Sequence, residues 1–271
     1  MGLLEFFNLR ENPFLITIDS RFFYNAQQHA EALVRLKHAV ENMKGLAVVV
    51  GDVGAGKTTL ATRLLEELEP DTYDAALLIV IHAGVTSEWM LRKMALQLGI
   101  PAPGETQTEL LTQLARRLEE ISESGKKAVV LIDEAQMLRS RELMENFRGL
   151  LNIEVGGRKA VTFVLFGLPE LDEVLALDQP LYQRVAIRYQ LTELDVAGTE
   201  AYVGYRLGIA GGREGTFSPD TVPVIWRYSK GTPRLINTLC DNALLEAYLR
   251  KQERIEAGLI HEVARDLRLG S

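Results

Sequence analysis

Leu46-Ala47-Val48-Val49-Val50-Gly51-Asp52-Val53-Gly54-Ala55-Gly56-Lys57-Thr58-Thr59-Leu60 is the stretch on which the fold turns. Its first five residues are apolar and end at a glycine, the pattern of a strand buried on both faces. The next eight read G-x-x-x-x-G-K-T, with Gly51, Gly54 and Gly56 as the glycines. Residues 59–68 then carry the period of an amphipathic helix. A strand, a glycine loop and a helix in that order form a phosphate-binding loop. Glycines let backbone N–H groups curl around phosphate oxygens without a clashing Cβ, and the helix N-terminus adds its dipole. Gly51, Asp52, Val53, Gly54, Ala55, Gly56, Lys57, Thr58 and Thr59 are the candidate nucleotide contacts. Lys57 is expected to reach the β- and γ-phosphates and Thr58 to hold Mg²⁺.

Strand and helix patterns alternate on both sides of this loop. A helix is expected over 27–43, before the first strand. Further strands are expected over 75–81, 128–132, 161–166 and 185–191. Helices fall between them over 88–98, 108–122 and 142–152, with a short one near 169–177. Gly156-Gly157-Arg158-Lys159 reads as a turn. Near-continuous apolar strands separated by helices predict an α/β fold, a five-stranded parallel sheet covered on both faces. Beyond about residue 195 the strand signals stop, and 199–208, 218–229, 232–252 and 257–267 all read as helical. The expected organisation is an α/β nucleotide-binding domain over 1–194, with an aromatic arm over 1–25, followed by a helical lid domain over 195–271.

The third strand ends in Asp133-Glu134-Ala135-Gln136. An acid at the carboxyl end of a buried strand sits where open α/β sheets bind ligands. Asp133 fits a Mg²⁺ ligand and Glu134 a general base that polarises the attacking water. Two arginines are candidates for stabilising γ-phosphate charge. Arg184 immediately precedes the fifth strand and could act in cis or from a neighbouring subunit, with Arg188 as its competitor. Arg234 starts a lid helix and could reach the phosphates when the lid closes.

Composition sets the bounds. The 271 residues suit one large domain or two unequal ones, and 47% hydrophobic content supports a sizeable core. A net charge of −7 argues against a nucleic-acid grip spread over the whole surface. From residue 225 to 271 there are eight Lys/Arg and six Asp/Glu, too small an excess to argue for DNA. The lone Cys240 excludes an internal disulfide and reads as a small core residue on a helix. The start carries Glu5 and Arg10 and lacks a signal-peptide layout. No apolar run approaches the roughly 20 residues needed to span a bilayer, so the expected location is cytoplasmic. His82, Trp89 and the run Arg139, Arg141, Arg148 read as strand-end, core and solvated-helix residues.

With these pieces placed, the chain resembles the AAA+ ATPases, and more narrowly the ExeA/GspA-type ATPases of bacterial secretion and pilus systems. The resemblance runs from Phe6-Phe7-Asn8-Leu9-Arg10-Glu11-Asn12-Pro13-Phe14 and Phe22-Phe23-Tyr24 through the glycine loop and Asp133-Glu134-Ala135-Gln136. It continues to Gly167-Leu168-Pro169-Glu170-Leu171, Gln183-Arg184 and Gly231-Thr232-Pro233-Arg234-Leu235-Ile236-Asn237. TnsC/TniB-type transposition ATPases are similar in the core. The resemblance implies Mg·ATP bound between core and lid, with Tyr24 bordering the adenine. It implies Arg184 as an arginine finger and Arg234 as a second nucleotide sensor. It also implies self-association, typically in a ring, and envelope secretion or pilus proteins as partners at the inner face of the membrane. A DNA-associated regulator of transposition or replication type is the alternative, and an ATP-binding scaffold with little turnover is a third. The family usually has a polar Gln between the Gly and Pro after the fourth strand; here it is Leu168, and Asn152 and Thr162 are the polar residues left for that role. Such proteins often continue into a membrane span and a periplasmic domain. This sequence stops at Ser271, so the expectation is a shortened chain or a member without those parts.

Overall fold

The computed structural model describes residues 2–17 and 19–270. By contact these fall into two units. The first takes in residues 28–53 and 57–191, and the second takes in the chain up to Gln27, the loop residues Gly54–Gly56 and everything from Thr192 onward.

The α/β unit is built on five parallel strands: β1 (Leu46–Val50), β2 (Tyr73–Ile79), β3 (Lys127–Asp133), β4 (Val161–Gly167) and β5 (Val185–Gln190). Their order across the sheet is β2-β3-β4-β1-β5. The register aligns Leu46 with Phe163 and Val50 with Gly167, so β1 and β4 end together. β3 and β4 pair from Ala128–Val161 to Ile132–Leu165, which brings Asp133 to the same edge. The three central strands β1, β3 and β4 are buried almost throughout, as runs of Val, Ile, Leu and Phe require. On one face, helices Ser87–Gln97, Gln107–Glu123 and Arg141–Leu150 present Met90, Leu114, Leu118 and Phe147 to the sheet. Phe147 stacks on Phe163 with ring centroids 5.0 Å apart.

The outer strands differ from expectation. β2 spans Tyr73–Ile79, two residues earlier than its apolar run, and leaves Ile79 and Ile81 exposed. β5 alternates half-buried and exposed residues along its length. Both strands pair on one side only, so a full apolar sequence does not mean full burial. The turn expected at 156–159 is a two-stranded hairpin, Glu154–Val155 against Arg158–Lys159, with Gly156 and Gly157 at positive φ between its strands.

The second unit packs helices Val196–Ile209, Thr221–Ser229, Pro233–Leu249 and Ala257–Asp266 around Ile225, Ile236, Leu239, Cys240, Leu244 and Ile260. The Cys240 thiol is fully buried and its pKa is pushed well up by that burial. The N-terminal arm, expected with the α/β domain, clusters here instead. Phe7, Leu9, Phe14 and Phe22 belong to the helical core. The buried Arg206 guanidinium donates to the carbonyls of Pro13 (2.5 Å) and Leu15 (3.0 Å), and it also covers the Phe22 ring. The partners lie 193 and 191 residues away in sequence, beyond the reach of any local pattern.

Gly231 closes the turn before helix Pro233–Leu249. Its φ is +76, its carbonyl accepts from Leu194 N–H at 3.0 Å, and an added Cβ would fall 1.8 Å from the Leu194 carbonyl oxygen. Gly231→Ala is therefore expected to destabilise the protein by about 2–4 kcal/mol, from left-handed strain plus a broken hydrogen bond. Thermal unfolding measures it against Gly215→Ala, a positive-φ position in open space, where only the backbone strain should register. Equal melting temperatures for the two variants would refute the steric argument.

Candidate functional site

The loop after β1 turns directly into helix Lys57–Glu67. Two of its three glycines, Gly54 and Gly56, have φ of +83 and +98, a region closed to most side chains. Gly51 N–H donates to Gly167 O at 3.2 Å, which ties the loop to the end of β4. Lys57 is buried, and its Nζ donates to the carbonyls of Gly51 (2.8 Å) and Asp52 (2.9 Å), so its ammonium lies within the loop. Asp52 and Val53 are exposed, while Thr58 and Thr59 are half-buried.

Across the sheet edge, Thr58 Oγ1 donates to Asp133 Oδ2 at 2.5 Å, bringing together residues 75 apart in sequence. Asp133 is almost fully buried, and its other oxygen accepts from Glu134 N–H at 2.9 Å. Burial is the main influence on this carboxyl and raises its pKa; the hydrogen bonds from Thr58 and Glu134 pull the other way. Glu134 has left-handed backbone angles (φ 56, ψ 33), which stop the strand and turn the chain. Its Oε2 accepts from Gln136 Nε2 at 2.6 Å, and Gln136 Oε1 in turn accepts from Leu168 N–H at 3.1 Å.

The two side chains that meet here, Thr58 and Asp133, offer a metal oxygens only, from a hydroxyl and a carboxylate. That suits Mg²⁺, which is commonly held by one or two protein oxygens together with substrate phosphates. Among the described residues no group of three or more His, Cys, Asp or Glu is placed to cage a metal alone.

Of the remaining sequence candidates, Arg234 touches the loop at Gly54 and the others lie elsewhere. Arg184 sits before β5, at the opposite end of the sheet, where Val185 pairs with Leu46, the first residue of β1. Its Nη1 donates to Asn152 Oδ1 at 2.6 Å and to Arg148 O at 3.4 Å. The competing Arg188 is paired with Asp172. Thr162 is buried at the starting end of β4 and contacts Met43, so neither it nor Asn152 lies at the edge that carries Asp133. In the helical unit, Arg234 N–H donates to Gly54 O at 3.4 Å, and a Cβ on Gly54 would lie 2.7 Å from Arg234 Cβ. Tyr24 packs edge-on against Tyr202 and lies close to Tyr205. Arg141 is tied to Glu145 on an exposed helix face, as expected, whereas Arg148 is half-buried and reaches the buried Asp178, so it does not belong to a solvated face. His82 Nδ1 accepts from Gly84 N–H, which makes it part of the turn after β2. Gln136, to which the sequence reading assigned no role, links the acid pair to the end of β4.

Comparison with known proteins now adds a family. The sequence pattern described as AAA domain matches residues 40–175. The chain belongs to the AAA+ ATPase family, whose members are ATP hydrolases. It is 35% identical, over 257 residues, to "General secretion pathway protein A" of Aeromonas hydrophila. That match covers 94% of this chain and 46% of the relative, so the chain spans about half of that protein's length. Among solved structures it is similar in fold to the Aeropyrum pernix ORC2 protein, with a TM-score of 0.68 and 18% identity over 90% of this chain and 71% of that one. It is similar also to Drosophila ORC bound to DNA, with a TM-score of 0.69 and 16% identity over 96% of this chain and 65% of the other. These two likenesses bear on the fold alone. The α/β architecture with a parallel five-stranded sheet agrees with the expectation from sequence. No helix among the described residues is long and apolar enough to cross a membrane.

Proposed function

We propose that this AAA+ ATPase is a Mg²⁺-dependent, self-associating ATP hydrolase that drives assembly of a bacterial secretion or pilus envelope complex. One observation carries the chemical part of the reading: the Thr58 hydroxyl meets the buried Asp133 carboxylate at 2.5 Å beside the lysine-bearing loop. Backbone N–H groups from Gly51 to Thr59 would hold the phosphates, and Lys57 would exchange its loop carbonyls for β- and γ-phosphate oxygens. Thr58 and Asp133 would hold Mg²⁺, which when bound would neutralise the charge that develops on the transferring phosphoryl group. Glu134 would take a proton from the attacking water. Arg184 would serve the site of a neighbouring copy, Arg234 would sense the nucleotide, and Tyr24 would border the adenine. The assembly role rests on the likeness to the Aeromonas secretion-pathway protein, along nearly all of this chain.

The test is ATP turnover with Mg²⁺, with EDTA, and in Asp133→Asn. Turnover should vanish with EDTA and fall at least about 100-fold in the variant, because metal charge stabilisation is worth several kcal/mol. A raised carboxyl pKa in the folded chain means stability declines as pH climbs above the ordinary carboxylate range. The apo Asp133→Asn protein should therefore melt no lower than wild type at neutral pH, so lost turnover cannot be ascribed to unfolding. Turnover that persists in EDTA overturns the reading. ATP-dependent DNA binding with a steep salt slope would favour the DNA-associated alternative instead.

A further inference from the structure

The side chain at position 168 is leucine, which can neither orient water nor hydrogen-bond a phosphate. Yet the main chain at that position is wired to the acid pair. Gln136 is buried, 3% exposed, and uses both ends of its amide: Nε2 to Glu134 Oε2 and Oε1 to Leu168 N–H. Only one orientation of the amide satisfies both bonds, because Leu168 N–H must meet an acceptor and the carboxylate must meet a donor. Gly167 leaves the space for it. A Cβ there would lie 2.8 Å from Gln136 Oε1, 3.3 Å from Gln136 N and 3.0 Å from Leu171 Cδ2. The strand end, the amide and the general-base carboxylate thus form one hydrogen-bonded line, and Gly167 also accepts from Gly51 of the phosphate loop.

We infer that Gln136 is a positioning residue for hydrolysis. It fixes the Glu134 carboxylate relative to the end of β4, through the Leu168 N–H. The inference rests on the ATPase reading above. A carboxylate that loses its only described side-chain donor can swing away from the attacking water, and a displacement of about 1 Å is enough to lower a rate by about 100-fold.

The test is steady-state ATP hydrolysis by Gln136→Met, which keeps the shape and removes both hydrogen bonds. The expected result is kcat lower by roughly 10- to 100-fold with KM and fluorescent-ATP binding within about twofold of wild type. A fall in kcat at unchanged KM and unchanged binding is the split that a purely structural role would not give. Wild-type kcat in Gln136→Met overturns the inference while the ATPase reading stands, provided Glu134→Gln is inactive. A loss confined to KM, or a loss of binding, also overturns it. If Gln136→Met does not fold, Gln136→Asn decides: its shorter amide cannot reach both Glu134 and the Leu168 N–H, so kcat should fall without a shift in KM, and wild-type kcat overturns the inference. Absence of turnover in the wild type would remove the ATPase reading and this inference together.

Discussion

Glu134→Gln should bind ATP as tightly as the wild-type chain, within a few-fold, and hydrolyse it about 10²- to 10⁴-fold more slowly, the range expected for loss of a general base. The two neighbouring acids have different surroundings, and these divide their roles. Asp133 is enclosed, with one oxygen on the Thr58 hydroxyl and the other on the Glu134 amide, and it sits where a metal ligand belongs. Glu134 is only half-buried, and its left-handed backbone turns it out of the strand's alternation. Its described hydrogen bond is to Gln136, leaving the other carboxylate oxygen for a water. Replacing the carboxylate by an amide keeps an oxygen that can still accept from Gln136, so the local structure should hold while the proton acceptor is lost. Single-turnover hydrolysis together with equilibrium binding of a fluorescent nucleotide measures both halves. Turnover within twofold of wild type would show that Glu134 is not the base, and an equal loss of binding would show that it is part of the nucleotide pocket instead.

Much of this site was legible before any coordinates, for physical reasons that can be named. The loop from Gly51 to Thr58 announces itself because its constraints are local: positive φ at Gly54 and Gly56, and a helix that starts at Lys57. Asp133 and Glu134 stand out because two acids end a wholly apolar strand. The edge strands were less legible, since Ile79 and Ile81 have the composition of buried residues and only the strand order shows that they are not. The placing of the arm was hidden for another reason. Arg206, an ordinary helix residue by composition, is committed to carbonyls nearly two hundred positions upstream. Gln136 was quoted in a motif but had no visible task, because one of its two partners is a backbone N–H 32 residues away and a main-chain group leaves no mark in a sequence.

Arg184→Ala and Glu134→Gln should each be nearly inactive alone and active when mixed. The geometry of the α/β unit leads to this expectation. Arg184 precedes the first paired residue of β5, whereas the phosphate loop follows the last residue of β1, with Val185 opposite Leu46 and Gln190 opposite Val50. At about 3.3 Å per residue, some 15–20 Å of strand separates the arginine's backbone from its own loop, further than its side chain extends. The option of acting in cis, open in the sequence, is therefore closed. If Arg184 stabilises transferring charge at all, it does so in another copy, through a head-to-tail contact that places the start of one subunit's β5 at its neighbour's loop. Its hydrogen bond to Asn152 holds the guanidinium in a half-buried, preset position rather than free in solvent. Loss of such an arginine should reduce kcat by about 10³-fold with ATP binding intact. In a mixture, an Arg184→Ala subunit keeps its acids and can borrow the arginine of a Glu134→Gln neighbour. Random assembly of equal amounts makes about one site in four competent, so the mixture should recover roughly a quarter of wild-type turnover while head-to-tail contacts persist. The recovery should depend on total protein concentration, as assembly does. A mixture no more active than the average of its parts, at concentrations where the protein is shown to associate, would leave Arg184 as a strut for Asn152 and the 148–152 segment rather than a catalytic group.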